Sequence, residues 1–339
     1  TFSDSRQGTA RFAAKAQQEA ERNYVRSLLY HHIAESARPR NGEESAALHQ
    51  QLAELEQALQ ANPNLSSVLG KIIHEKRAKL AELDAPPLGR LGWNEAVQRL
   101  LAESGFERWM LAGLKEQTGG ELSDSELAHL CLLREFFRRS KRQNSLETLG
   151  LLRLRYPALA NVTTAPDGWR QRNFSLDDWR DFLGVALDHY VRAISAVEVT
   201  RQQLRWFGFP GRGRYLIGPG QSGTTRQQAS WPQAQGGSLR NRLVILLAHA
   251  LQLDAKTPQG ASLINELLVS AWQTLGNAGL LQRFEEGYRL SLPQTAEIAE
   301  VRQAWLCPIT RRLLPLAFRG LSPYMPTGAN QDLAQCLRV

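Results

Sequence analysis

The chain has 339 residues, of which 42% are hydrophobic and 22% are charged. This composition excludes a chain that is disordered, or a coiled coil, over its whole length. Its mean hydropathy is −0.37, and no apolar run approaches the ~18 residues that span a bilayer, which argues against a membrane partner. The net charge of +8 favours a nucleic-acid partner instead.

Targeting and redox features point to the reducing cytoplasm. Residues Thr1–Ser5 contain neither the basic region nor the apolar stretch of a signal peptide. The three cysteines, Cys131, Cys307 and Cys336, are odd in number and far apart, which argues against a disulfide framework. Because the first residue is Thr rather than Met, we expect a segment of a longer protein.

Basic residues are unevenly distributed along the chain. Arginine supplies 34 of the 41, and its planar guanidinium suits phosphates and stacking on bases. No acidic residue occurs from Arg201 to Leu253, whereas seven arginines do; a second basic cluster runs from Arg134 to Arg155. We expect the first stretch to lie beside a nucleic-acid path. The alternatives are a solvated basic face, or a charge balanced by Glu285, Glu286 or the helical domain, with the aromatic residues of the stretch in the core. The expected phosphate contacts are Arg201, Arg205, Arg212, Arg214, Arg240 and Arg242, with Trp206, Phe207, Tyr215 and Trp231 stacking on exposed bases.

The first 90 residues are predicted to be helical. An Ala-rich stretch from Thr9 to Ser36 has apolar residues at helical spacing. Two seams of apolar residues then lie on either side of Asn62–Asn64: an outward seam before it, and a returning seam from Leu65 to Leu83 after it. The outward seam has the spacing of a heptad repeat and consists of Leu48, Leu52, Leu55 and Leu59. An antiparallel helical hairpin would let each seam bury the other.

Further amphipathic helices are predicted between residues 93 and 206. Three of them are Asn94–Ser104, Phe106–Thr118 and Ser123–Ser140. Ser123 and Glu126 have the spacing of a capping box at the start of the third. A fourth helix begins at Ser175 and is expected to end near Arg205.

The following stretch, 207–237, has eight glycines and three prolines, and loops of this length are usually functional or disordered. Helices are predicted to open at Ser238 and Gly260, with Gly279 as the second helix's C-cap. Alternation from Leu280 to Leu292 then predicts a β-hairpin. The order helix, helix, hairpin is that of a winged-helix unit, and a further strand near Ala304–Cys307 is expected to pair with the hairpin.

The second helix of this unit is predicted to expose polar residues without arginine. Glu266 on the same helix would repel phosphate, so base readout is disfavoured and packing or protein interaction is favoured. The residues concerned are Asn265, Ser270, Gln273, Thr274 and Asn277.

Motifs for nucleotide binding and catalysis are missing from this sequence. Gly218–Thr225 has the glycine spacing of a phosphate-binding loop, but Thr224 replaces the lysine that reaches the phosphates. No nucleophile elbow or His-Glu-x-x-His motif occurs, so we predict no catalytic residue. We predict no metal site and no cofactor, although Cys307 could still join a zinc site completed by residues outside this chain.

Two short blocks resemble superfamily 2 DEAD/DEAH-box helicases. Phe2–Gln7 resembles motif IV, which marks the start of the second RecA-like domain of these enzymes. Trp305–Leu314, followed by Phe318–Tyr324, resembles the end of a long insertion after motif IV. That insertion is found in large bacterial helicases with a cysteine-rich C-terminal domain, including those of anti-phage defence systems such as Druantia.

The resemblance implies a parent enzyme that uses ATP and Mg²⁺, with the Walker motifs upstream of this chain and motif VI downstream. By the same resemblance, Ser5, Arg6 and Gln7 match motif IV positions associated with the nucleic-acid backbone or with interdomain contacts. The alternative reading makes Ser3 or Asp4 a helix N-cap and Arg6 a surface residue.

These observations predict a mostly α-helical protein: a helical bundle with a projecting antiparallel hairpin and a winged-helix-like unit. We expect an accessory region that binds single- or double-stranded DNA, or docks a partner, within an ATP-dependent helicase or translocase. The alternative is a non-enzymatic helical scaffold that binds another protein of a defence or repair complex. The predicted division is 1–40, start of the second RecA-like domain; 41–90, helical hairpin; 91–206, helical bundle; 207–237, Gly-rich loop; 238–316, winged-helix-like unit; and 317–339, return segment.

Overall fold

The structure is a computed structural model, and it describes residues 2–37, 42–61, 69, 72–73, 76–77, 80, 88–137, 146–147, 151–206, 213–235 and 241–301. The chain divides into two compact units, one of Thr1–Ile33 with Leu91–Val339 and one of Ala34–Arg90. Most of the described residues are helical, and the strands form two small sheets. The predicted mostly-α class is therefore confirmed.

The smaller unit contains α2 (Gly42–Ala61) and helical residues among 69–80. Leu48 and Leu52 on α2 are buried, as the seam predicts. Two cations from the returning residues contact α2: the Lys76 ammonium donates to Gln51 at 2.6 Å, and Arg77 pairs with a carboxylate at 2.6 Å. The predicted turn at Asn62–Asn64 lies outside the described residues.

The larger unit begins with α1 (Phe2–Glu35), which buries apolar residues one turn apart, at Val25, Leu29 and Ile33. The helix starts earlier than the predicted Thr9. It also corrects the N-cap interpretation of Ser3 and Asp4, because both residues lie inside the helix.

Short helices follow along residues 93–133: α3 (Trp93–Ala102), a π-helical turn (Phe106–Leu111), α4 (Ala112–Gln117) and α5 (Asp124–Leu133). The predicted capping box is confirmed, since the hydroxyl of Ser123 accepts from the backbone of Glu126 and the Glu126 carboxylate accepts in return. The third predicted helix was too long, because α5 ends at Leu133 and a turn follows it.

The first sheet has the strand order β1 (Arg90–Gly92), β7 (Glu297–Glu300), β2 (Leu152–Arg155). Its last two strands are antiparallel, with Leu152 opposite Glu300. After β2, the described residues up to 206 form a 3₁₀ turn and three helices: Pro157–Asn161, α6 (Asp167–Arg170), α7 (Leu176–Ala193) and α8 (Arg201–Trp206). The helix predicted from Ser175 to Arg205 is thus two helices, and the break falls at Ile194, whose φ is +46°.

The second sheet has the order β4 (Gln228–Ser230), β3 (Tyr215–Ile217), β6 (Gly287–Arg289), β5 (Gln282–Phe284). The predicted hairpin is confirmed, since β5 and β6 pair antiparallel. Two helices precede it, α9 (Arg242–Ala250) and α10 (Pro258–Asn277), and a short α11 (Leu292–Thr295) follows. Gly279 takes a φ of +70° just beyond α10, as expected of a residue that ends a helix. The strand expected near Ala304–Cys307 lies outside the described residues.

A chain of aromatic rings joins these elements in the core. Trp231 stacks on Tyr190 of α7 with ring centroids 5.8 Å apart, and it meets Trp272 of α10 edge-on at 5.2 Å. Trp272 in turn contacts Tyr288 of β6 at 5.1 Å. The indole N–H of Trp231 donates to the Leu268 carbonyl at 2.8 Å. The hairpin is thereby fixed to the helices behind it.

Buried charges are paired within the larger unit. The guanidinium of Arg192 lies 3.1 Å from the carboxylates of both Glu147 and Asp188, and Asp188 also accepts from the hydroxyl of Tyr156. Burial, followed by the negative charge of Asp188, raises the pKa of Tyr156 well above its usual value. This tyrosine therefore stays a neutral donor, which completes the network.

Leu52→Asp should destabilise the smaller unit by several kcal/mol, because a carboxylate replaces a side chain that is 5% exposed. Ala53→Asp adds the same charge at the adjacent, exposed position and serves as the control. Hydrogen exchange of residues 42–80 in the full chain measures the effect. Equal protection in the two variants would contradict the seam.

Candidate nucleic-acid interface

The shape of the β5–β6 hairpin depends on the turn residue Glu285 and on the close approach of Gly287 to β3. Glu285 has a φ of +51°, a backbone conformation that residues other than glycine and asparagine rarely adopt. At Gly287 a Cβ atom would collide with the Leu216 carbonyl and the ring of Tyr215. Glycine at 287 therefore lets β6 lie against β3.

A cleft of ≈ 470 Å³ lies between the hairpin and the segment that enters α8. We call it the hairpin cleft. It is lined by Glu198, Val199, Thr200, Arg201, Gln202 and Gln203 on one side and by Arg214, Phe284, Glu285 and Arg289 on the other.

The α8 side of the hairpin cleft is held in place by local hydrogen bonds. The backbone N–H of Glu198 donates to the Leu290 carbonyl at 2.8 Å, which ties this segment to the end of β6. Thr200 and Gln203 cap α8 reciprocally, at 2.8 and 3.2 Å. Arg201 thus begins α8 at a fixed position on the rim.

Two guanidiniums flank one aromatic ring inside the hairpin cleft. Arg289 lies 4.0 Å from the centroid of Phe284 and Arg214 lies 5.6 Å from it. Each cation also has a carboxylate partner: Arg289 meets Glu198 at 2.8 Å, and Arg214 meets Glu285 at 3.2 Å. Two cations and two anions therefore balance within the cleft.

Arg201 supplies the excess positive charge of the hairpin cleft. Its side chain is exposed, and within the described part of the chain no carboxylate pairs with it. An exposed guanidinium beside two half-buried ones is suited to a phosphate group at the rim.

Among the predicted contact residues whose side chains the structure describes, Arg201 and Arg214 are brought together, since they line the same cleft. Arg242 is the first residue of α9, where its side chain is half-buried and has an interaction partner. The backbone of Arg205 lies in α8, and Ser5, Arg6 and Gln7 lie in α1, but their side chains are not among those described. Arg212 and Arg240 are outside the described residues.

The stretch from Arg201 to Leu253 lacks acidic residues in sequence but not in space. Folding brings Glu285 to Arg214, so at this position the alternative in which Glu285 supplies the balancing charge holds, and the expectation of cations without a local anion is wrong. Sequence reasoning also missed Phe284, Glu198 and Arg289. Alternation along the predicted hairpin places Phe284 and Arg289 on one face, but nothing local indicates the approach of Glu198.

Tyr215 and Trp231 do not stack on exposed bases, because both rings are in the core. They are 5% and 2% exposed. The expectation for this pair is therefore wrong. The side chains of Trp206 and Phe207 lie outside those described.

The loop Gly218–Thr225 does not fit a nucleotide. The side-chain oxygen of Gln228 accepts from the backbone N–H of Thr224 at 2.7 Å, and Ser230 accepts from that of Gly223 at 3.1 Å. Backbone donors that would cradle a phosphate are thus already engaged. Strand β4, rather than a helix, follows the loop.

The outer face of α10 is almost uncharged. Glu266 is the one charged residue in the whole helix. Of the residues predicted to be exposed there, Asn265 instead bonds both backbone groups of Ala234, and Thr274 donates to the Ser270 carbonyl. Phosphate contact from this face is therefore unfavourable.

Two ionisable groups outside the hairpin cleft, His129 and Cys131, have shifted pKa values because they are buried. Burial lowers the pKa of His129 to about 4, against the opposing charges of Glu198 and Glu126, so the imidazole is neutral at pH 7. Burial raises the pKa of Cys131 to about 12, which keeps this thiol protonated and inert. Among the described residues no group of three or more metal-ligating side chains converges.

Comparison with protein-family models, with curated proteins and with solved structures gives no match. Across the residues that the structure describes, every helix is too short or too polar to cross a membrane.

Trp231→Ala should lower the free energy of unfolding by about 3–5 kcal/mol, because it empties a packed site and removes a buried hydrogen bond. Trp109→Ala is the control, since that indole is 74% exposed and its loss should cost little stability. Thermal or urea unfolding measures both. Comparable loss in the two variants would contradict the core position of Trp231.

The chain should release no phosphate from ATP above a heat-inactivated sample, with or without DNA. Thr224 replaces the required lysine, and Gln228 already accepts from the loop. A phosphate-release assay checks this. Hydrolysis that Gly223→Pro abolishes would contradict it.

Proposed function

We propose that this chain is an accessory DNA-binding region of an ATP-dependent helicase or translocase, and that it contacts DNA at the hairpin cleft. The observation that carries the proposal is the order and pairing of one set of elements. The elements α7, β3, α9, α10, β5 and β6 occur in this order along the chain, with α8 between α7 and β3 and with β4 between β3 and α9. Strand β6 pairs with β3 on one side and with β5 on the other. Apart from α8 and β4, this order and pairing resemble those of a winged helix, a relative of the helix-turn-helix, and this likeness supports the proposal.

The distribution of charge supports a particular way of binding. In a winged helix the second helix of the helix-turn-helix usually reads bases, but α10 carries one charge, and that charge is negative. Three cations instead line the hairpin cleft: Arg201 on its α8 side, and Arg214 and Arg289 on the opposite side. Binding would therefore be dominated by phosphate contacts and would depend weakly on sequence.

The parent enzyme is inferred from the resemblance of Phe2–Gln7 and Trp305–Leu314 to helicase blocks. ATP hydrolysis would require the Walker motifs and motif VI, which by this resemblance lie upstream and downstream of the chain. The proposed role in anti-phage defence is likewise supported by this resemblance alone.

Replacing Arg201 tests the proposal directly. Arg201→Ala should reduce the slope of log affinity against log salt by ~0.7 for single strands or ~0.9 for duplex, the value of one phosphate contact. Lys256→Ala removes an exposed cation outside the hairpin cleft and should leave the slope unchanged. Fluorescence anisotropy of labelled oligonucleotides, with the full chain over a salt series, measures both.

Two outcomes would contradict parts of the proposal. Salt-dependent binding with an unchanged slope for Arg201→Ala would exclude the hairpin cleft as the contact. Absence of salt-dependent binding would exclude DNA binding by this chain.

A scaffold that binds another protein is the second candidate, and the outer face of α10 favours it. A twenty-residue helix with a single charged residue is unusual at a solvated surface, and Val269 on this helix is 37% exposed. Salt-dependent DNA affinity separates the two candidates, because a scaffold would lack it.

A further inference from the structure

The turn residue Glu285 has an unfavourable backbone conformation for its type. Two-residue hairpin turns that need a positive φ generally use glycine, asparagine or aspartate. In this conformation the Cβ atom of glutamate lies close to the residue's own carbonyl oxygen, which is sterically unfavourable. A strained residue at a candidate site justifies asking what its side chain does.

The side chain of Glu285 is directed at the hairpin cleft. Its carboxylate lies 3.2 Å from the guanidinium of Arg214, whose side chain is only 16% exposed. Glu286 is adjacent and exposed, yet it makes no ion pair with any described residue. The two glutamates therefore differ in contact, though not in charge.

The second carboxylate of the hairpin cleft is held more firmly. Glu198 accepts from Arg289 and from the buried hydroxyl of Ser291, and its own backbone N–H is bonded to Leu290. Glu285, in contrast, sits on a two-residue turn and has the one ion pair. Of the two, Glu285 is the carboxylate that a ligand can displace.

We propose that Glu285 is a selectivity residue, which occupies Arg214 in place of a phosphate and so limits the hairpin cleft to extended polyanions. This inference rests on the proposed function. A tethered carboxylate acts at a high effective concentration, so a single phosphate group competes poorly with it. A nucleic-acid strand has a further phosphate for Arg201, and that extra contact offsets the displacement of Glu285.

Glu285→Gln and Glu286→Gln form a matched pair, since they remove the same charge from adjacent positions. Glu285→Gln should raise the affinity of the full chain for a single-stranded oligonucleotide about fivefold, as expected for release of a partly exposed ion pair. Glu286→Gln should change it less than about twofold. Equal gains in both variants would overturn the proposal, because general charge would then explain them.

Inorganic phosphate provides the second arm of the experiment. At constant ionic strength, exchanging chloride for phosphate should not weaken oligonucleotide binding by the wild-type chain, but it should weaken binding by Glu285→Gln. Competition by phosphate in the wild-type chain would overturn the proposal. Glu285→Gly removes both the charge and the backbone strain, so it should gain affinity and melt at a higher temperature.

A double-mutant cycle identifies the partner of Glu285. In an Arg214→Ala background, Glu285→Gln should no longer raise the affinity, because the cation that it releases is gone. A gain that persists would overturn the role of Arg214 and the proposal with it. If the wild-type chain shows no salt-dependent binding, the proposed function fails too; the other adverse outcomes leave that function standing.

Discussion

The contacts of Trp231 are the constraint on which the candidate site depends. Its ring lies between α7 and α10, and Trp272 extends the contact to β6. Since its N–H is satisfied by a main-chain carbonyl, the indole has one orientation rather than several. The position of the hairpin, and hence of Phe284 and the cations around it, follows from this packing.

The hairpin cleft shows how a basic chain can contain a nearly balanced site. Arg214 and Arg289 are fixed by carboxylates and by one aromatic face, which orders them before any ligand arrives. Ordering long side chains in advance lowers the entropic cost of binding. Carboxylates in the cleft lower its affinity for any single anionic group, so such a site would favour ligands that make several contacts at once.

Local signals in the sequence predicted local structure well. The capping box at Ser123, the glycine at 279 that follows α10, and the hairpin all depend on residues that are neighbours in sequence. The errors arise where residues that are distant in sequence determine the structure. The helix from Ser175 was extended too far, because the chain turns at Ile194, and pairing with residues near 213 and 290, rather than any local signal, stabilises this turn. The first sheet was missed because its strands have three or four residues and pair across most of the chain. The candidate site was half predicted for the same reason: Arg201 and Arg214 were identified and Glu285 was considered as a balancing charge, but Glu198, Phe284 and Arg289 were not identified.

The pairing of the first sheet has a consequence for how the chain folds. Leu152 in β2 pairs with Glu300 in β7, and β1 also depends on β7 for its pairing. During synthesis, β1 and β2 therefore leave the ribosome long before the strand that joins them. Pairings between such distant residues form slowly, because the intervening chain must first be closed. Until then two unpaired strand edges are exposed, and nascent chains truncated before residue 297 should be prone to aggregation or chaperone binding.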